Sequence, residues 1–183
     1  MNYQRAAMKS FFKILILLIA SLFINNTALA QSNHGYAVDV LKGTGNINGI
    51  KLAYQYHMPK MQNLVGDTRF YIETSVNLWE FAHNHHSQSN LVLAVSPVLQ
   101  FPAFSFNNTP FYVEAGIGVS LIDETQIGGK NLSSHYQFED RIGLVADFGD
   151  TNIALRIIHY SNAGFQKPNP GLDFMTLSVA KRF

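Results

Sequence analysis

Cysteine is absent from the 183 residues, which excludes a disulfide framework. The charge is nearly balanced, at a formal +1, and no basic cluster follows the first thirty residues, which argues against nucleic acid as a partner. Beyond residue 30 no stretch approaches the roughly 20 consecutive apolar residues that a membrane-spanning helix needs, because polar residues interrupt every apolar run. Membrane insertion of that part must therefore be by strands. A helical period, a low-complexity linker and a change of composition are also lacking, so residues 31–183 read as one domain.

The first thirty residues read as an export signal and stand apart from the fold. Arg5, Lys9 and Lys13 give a positive start, Ile14 to Ile24 an apolar core, and Ala28, Leu29 and Ala30 the small-x-small pattern that precedes signal-peptidase cleavage. The mature chain is expected to begin at Gln31. An exported chain of this length is either a soluble periplasmic or secreted domain or a small membrane barrel.

Period-two alternation separates the two. It runs through eight segments: Tyr36 to Lys42, Ile47 to His57, Arg69 to Phe81, Leu91 to Phe101, Phe111 to Ile122, Phe138 to Phe148, Asn152 to Ser161 and Asp173 to Phe183. A soluble barrel turns its apolar parity inward and a membrane barrel turns it outward. In the fifth segment one face is Phe111, Val113, Ala115, Ile117, Val119 and Leu121, and the other is Tyr112, Glu114, Gly116, Gly118 and Ser120. Across the segments the polar faces carry Asp39, Glu73, Glu114 and Glu139 together with Lys51, Arg69, Arg141 and Arg156. Balanced charges of this kind suit the filled lumen of a small barrel, because a buried charge without a partner costs several kcal/mol. Placing the amino terminus on the periplasmic side puts Tyr36, Tyr56, Phe70, Phe101, Phe111, Phe148 and Phe183 on the apolar face at one end, an aromatic girdle. The fold class expected is therefore an all-β, eight-stranded antiparallel transmembrane β-barrel of the bacterial outer membrane.

That topology places the connections beginning at Gly43, Ala82, Asp123 and Asn162 outside the cell. Met58 to Thr68, Pro102 to Pro110 and Gly149 to Thr151 fall on the periplasmic side, the first two longer than such turns usually are.

Parity also gathers three polar groups on the outward face at one height. His159 and Ser161 continue the apolar row of Ile153, Leu155 and Ile157, and Asp173 begins the outward row of Met175, Leu177 and Val179. Ester cleavage by a serine needs a base to take the hydroxyl proton and an acid to orient that base. Residues i and i+2 of a strand lie about 6.6 Å apart along the chain, near enough for imidazole and hydroxyl to approach. Spacing alone leaves open that these are ordinary interfacial polar residues at a strand end.

The run from Arg156 through His159, Tyr160, Ser161, Asn162 and Ala163 to Gly164, followed by Pro168, Asn169, Pro170 and Gly171, closely resembles the signature of the lipid A 3-O-deacylase family, known as PagL. The resemblance is specific over about the last thirty residues. It implies hydrolysis of the acyl ester at the 3-position of lipid A, with His159 as general base, Ser161 as nucleophile, and Asn162, Gly164 and Asn169 in the oxyanion region. The acid, usually glutamate in the family, falls at Asp173, one methylene shorter. A 3-hydroxy fatty acid would be released, no metal or other cofactor is implied, and the partners would be lipopolysaccharide and the outer membrane itself. The oligomeric state, a homodimer included, is left open. Two further classes compete: a structural or adhesive barrel and a palmitoyltransferase-type barrel.

Other patterns carry less. His83, His85 and His86 crowd one upper loop and lack a fixed scaffold, so they read as solvated residues before they read as a metal site. Gly128 and Gly129 read as flexibility in a long upper loop, not as phosphate binding. Asn107 to Thr109 matches a glycosylation sequon in the wrong kind of cell.

Overall fold

The computed structural model describes residues 33–59, 67–83 and 86–183. The expected export signal and most of the Met58 to Thr68 connection lie outside the described residues. Among the described residues ten strands follow one another: β1 His34–Gly43, β2 Ile47–His57, β3 Arg69–His83, β4 His86–Phe106, β5 Thr109–Ile122, β6 Gln126–Ile127, β7 Lys130–Asn131, β8 Tyr136–Asp147, β9 Thr151–Ser161 and β10 Leu172–Arg182. Eight of them close into an antiparallel barrel in the order β1-β10-β9-β8-β5-β4-β3-β2, and β6 and β7 form a small separate hairpin. The eight-stranded antiparallel barrel expected from alternation is the observed fold.

Side-chain direction follows the predicted parity. Leu78, Ile117, Leu121, Ile142, Leu155, Ile157, Met175 and Leu177 stand exposed around the outside. Asp39, Lys51, Glu73, Glu114, Glu139, Arg141 and Arg156 are buried inside. An apolar exterior around a polar interior has the sense of an outer-membrane barrel, where lipid replaces water as the outer solvent.

The interior is filled by ion pairs. Lys51 Nζ sits 2.8 Å from Glu73 and 3.2 Å from Glu139, and Arg141 bridges the same two carboxylates, 2.7 Å from Glu73. Arg156 lies 2.6 Å from Glu114 and 3.3 Å from Asp39. Tyr71 and Gln100 donate to Glu114 at 2.8 and 2.9 Å, and Tyr160 and Ser96 donate to Glu139, each at 2.7 Å. Small inward residues make room for the arginines: a Cβ on Gly143 would come within 2.8 Å of Arg156 Cγ. Arg69, also expected inside, pairs lower down with Asp147 at 2.5 Å.

Above this polar layer, at the end opposite the termini, the lumen becomes apolar. Leu41, Ile47, Trp79, Val92, Ile122, Ile127, Leu132, Ile158, Tyr160, Leu172 and Phe174 form one buried cluster. Trp79 meets Tyr160 edge-on at 4.7 Å and Phe174 at 4.8 Å. Ile127 and Leu132 come from the long β5–β8 connection, which folds inward and caps the barrel mouth.

Three connections differ from expectation. Pro102 to Pro110 is not an irregular loop: β4 and β5 stay paired through Phe106 and Thr109, with a one-residue register shift between Pro102 and Phe104. The bulge accommodates a residue with no N–H to give, and Asn107 and Asn108, with φ of 47° and 63°, make the tight turn. Beyond the bulge Phe104 and Phe106 join the exposed aromatics of the girdle, and Phe104 stacks on Phe111 at 4.8 Å. The upper connection placed at Ala82 is a hairpin tip, because β3 and β4 pair as far as His83 with His86. His85 lies outside the described residues. Gly128 and Gly129 are not a flexible tract but the positive-φ turn of the β6–β7 hairpin; a Cβ on Gly128 would meet Phe81 at 3.1 Å and Ile47 at 3.2 Å.

Candidate active site

The site lies on the outer surface of β9 and β10, at the end away from the termini. β9 alternates without error: Ile158 and Tyr160 are buried in the apolar cap, so His159 and Ser161 are turned out. Tyr160, between the two, is held by its hydroxyl on Glu139 and by the Trp79 ring, which fixes the strand from behind. β10 brings Asp173 directly opposite His159 in the ladder.

Directly opposed residues of an antiparallel pair have Cβ atoms about 4.5–5.5 Å apart, within reach of a short acid. Asp173 Oδ1 accordingly stands 2.7 Å from His159 Nδ1. The missing methylene relative to glutamate is made up by the register. An imidazole committed through Nδ1 presents Nε2 as its second nitrogen, the one free to take a proton. The two side chains are 41% and 54% exposed, so a surface-bound ester can reach them. Ser161 is half-buried on the same face and lies opposite Phe138 of β8.

Past Ser161 the chain makes a tight turn. The Phe165 N–H donates to the Asn162 carbonyl at 3.1 Å across Ala163 and Gly164, which have φ of 53° and 79°. Asn162 is buried and organises the turn. Its Nδ2 donates to the Leu132 carbonyl at 2.9 Å, the Gln166 carbonyl at 3.1 Å and the Ser134 hydroxyl at 3.2 Å, while its Oδ1 accepts from the Gly164 N–H at 2.9 Å. Those bonds commit the Asn162 side chain and the Gly164 N–H to the loop itself. Asn169 is different. Its Oδ1 accepts from the Asn162 N–H at 3.4 Å, and its Nδ2 has no hydrogen-bond acceptor among the described residues.

The structure thus brings His159, Asp173 and Ser161 to one face and groups Asn162, Gly164 and Asn169 in the adjoining loop. Several neighbours escape sequence reading. Asp140 of β8 is outward and directly opposite His159 on the side away from Asp173, a placement that only the β8–β9 register reveals. Phe165, at the loop tip, is 78% exposed and lies 6.2 Å from Phe138. Gly171 has a φ of 66° and abuts the imidazole: a Cβ there would lie 2.6 Å from His159 Cε1 and 3.2 Å from Nε2. The Pro-Asn-Pro-Gly run signals a turn but not this contact.

Comparison with known proteins agrees with the geometry. The profile of the family described as Lipid A 3-O-deacylase (PagL) matches residues 48–182. The chain is 32% identical over 161 residues to "Lipid A deacylase PagL" of Pseudomonas aeruginosa, covering 87% of this chain and 91% of that one. It is 45% identical over 74 residues to "Lipid A deacylase PagL" of Bordetella bronchiseptica, covering 40% and 42%. Among solved structures, "Crystal structure of the outer membrane enzyme PagL" superposes with a TM-score of 0.70 at 28% identity, covering 81% of this chain and 99% of that one. The Yersinia pestis outer membrane protein Ail, at 13% identity and a TM-score of 0.50, shares the fold alone. A profile match over most of the chain and a relative aligned along nearly its whole length meet on one conclusion: this chain is an outer-membrane enzyme and belongs to the lipid A 3-O-deacylase (PagL) family.

Proposed function

We propose that the chain hydrolyses the ester at the 3-position of lipid A through Ser161, His159 and Asp173, releasing a 3-hydroxy fatty acid. The observation that carries this reading is the 2.7 Å His159–Asp173 bond on a surface otherwise made for lipid. A polar pair on the lipid-facing side is costly unless it is used, and here it stands at the end where head groups meet acyl chains.

Ser161 Oγ attacks the ester carbonyl carbon while His159 Nε2 takes its proton, and Asp173 holds the resulting imidazolium. The tetrahedral intermediate collapses by breaking the bond to the sugar oxygen, to which His159 returns the proton. Water then attacks the acyl-serine, His159 again carries the proton, and the fatty acid leaves with Ser161 restored. The developing oxyanion needs donors that are not already engaged. Asn169 Nδ2 meets that condition, whereas Asn162 Nδ2 and the Gly164 N–H are held within the loop. The enzyme's substrate, lipopolysaccharide, would reach the site laterally from the outer leaflet. Residues 1–30 would direct export, and the mature chain would start at Gln31, three residues before β1.

Mass spectrometry of lipid A from cells producing the wild type or Ser161→Ala tests the reading, with both barrels shown to be folded by heat-modifiable gel mobility. Loss of one hydroxyacyl chain is expected with the wild type alone. Unchanged lipid A in both rejects it, and a gain in mass favours acyl addition. Intact-mass measurement of the same protein checks the start at Gln31.

A further inference from the structure

The β6–β7 hairpin enters the barrel mouth through Ile127, and Lys130, the ladder partner of Ile127, reaches from it to the residue before β10. Lys130 is half-buried, and its Nζ donates to the Gly171 carbonyl at 2.9 Å and to the Thr44 hydroxyl at 3.1 Å. One ammonium therefore ties together the β1–β2 turn, the capping hairpin and the last residue before β10. Gly171 is the residue that abuts the His159 ring, and a bare Cα is all the space allows there. A second tie runs parallel, from the Ser133 hydroxyl to the Pro168 carbonyl at 2.7 Å.

We propose that Lys130 and Gly171 are positioning residues for the general base. Lys130 holds the Gly171 backbone against the imidazole, and Gly171 keeps the ring in the plane that its bond to Asp173 requires. The physical basis is that Asp173 fixes only one nitrogen. A ring held at Nδ1 alone still pivots about that bond unless a wall stands against its far edge. The Gly171 backbone supplies that wall on the Nε2 side, and Lys130 fixes the wall to a hairpin whose Ile127 and neighbouring Leu132 are fully buried. The proposal rests on His159 being the base, and its test is arranged so that the two stand or fall separately.

The full-length mature barrel is purified in detergent as wild type, Lys130→Met, Lys130→Arg, Gly171→Ala and Gly149→Ala, with lipid A in mixed micelles as substrate. Gly149, in the turn at the other end of the barrel, is the control for backbone strain: its φ is 90°, yet a Cβ there meets nothing within 4 Å. Each variant is assayed for kcat and KM. Each is also labelled at histidine Cε1 for NMR, with the His159 resonance identified by its loss in His159→Gln. Lys130→Met should lower kcat about tenfold, the equivalent of one hydrogen bond, with KM unchanged. Lys130→Arg, which still reaches the carbonyl, should restore it. Gly171→Ala should lower kcat about a hundredfold, as a displacement near 1 Å does. The His159 resonance should move in Lys130→Met and Gly171→Ala and stay in place in Gly149→Ala.

A rise in KM with kcat intact for Lys130→Met would mean that the ammonium binds substrate and would overturn the brace. Equal losses in Gly149→Ala and Gly171→Ala, or an unmoved His159 resonance in the latter, would overturn it too. The resonance needs no substrate. If the wild type leaves lipid A intact, the deacylase reading fails while the NMR result still decides whether the imidazole is braced.

Discussion

Asp173 works at the shortest reach an acid has. Its carboxylate meets His159 because ladder partners face each other, not because the side chain is long. Asp173→Ala should therefore leave the barrel's stability unchanged, since the residue is exposed, and should lower kcat by a factor on the order of 10³–10⁴ by freeing the imidazole's orientation and tautomer. Steady-state assay alongside a urea unfolding midpoint separates the two effects. Asp173→Glu, with an extra methylene to fold into the same gap, should fall well short of that loss. The shared outward face of His159, Ser161 and Asp173 was legible from parity, because an imidazole, a hydroxyl and a carboxylate stood where Ile, Leu and Met set the rule, while the roles proposed for them came from the resemblance. Asp140 was not legible. Its own strand shows it as one outward polar residue, and only pairing with β9 puts it beside His159.

At the scale of elements, the proposed mechanism divides the asparagines of the Asn162–Gly171 loop between two tasks. Asn162→Ala removes five hydrogen bonds that hold the turn, so it should open the loop to protease and cost about 1–3 kcal/mol of stability for the buried polar partners left behind. Asn169→Ala should leave proteolysis unchanged and lower kcat by roughly 10²–10³, the loss that follows removal of one oxyanion donor. Limited proteolysis and kinetics on the pair distinguish scaffold from donor. Strands were readable because period two survives wherever lipid lies on one side and charge on the other. Connections were not. Proline and paired asparagines signal a break, yet here a bulge absorbs Pro102 and the Asn107–Asn108 turn lets two strands continue. The glycine pair at 128 and 129 gives the same signal for a loose loop and for a packed hairpin turn.

For the whole molecule, the lumen is where stability concentrates. Arg141 joins Glu73 and Glu139 in the same network as Lys51, all of them buried. Arg141→Met should destabilise the barrel by about 3–5 kcal/mol, because it leaves two buried carboxylates, Glu73 and Glu139, to share Lys51. Urea titration of the protein refolded in lipid vesicles reads this as a lower midpoint. The charges were visible in the sequence, but the change of character above them was not. Trp79, Tyr160 and Phe174 occupy the same inward parity as Glu73 and Arg156, and alternation reports which side a residue faces without reporting its depth.

That apolar stopper gives the barrel a property its outline would not suggest. Trp79, Ile127, Leu132 and Phe174 are buried at one end above a mesh of salt bridges, so among the described residues side chains fill the lumen at both levels. The enzyme should be electrically silent in a planar bilayer. A bacterium that makes it in abundance should gain a remodelled surface while remaining as impermeable to dyes and small antibiotics as before.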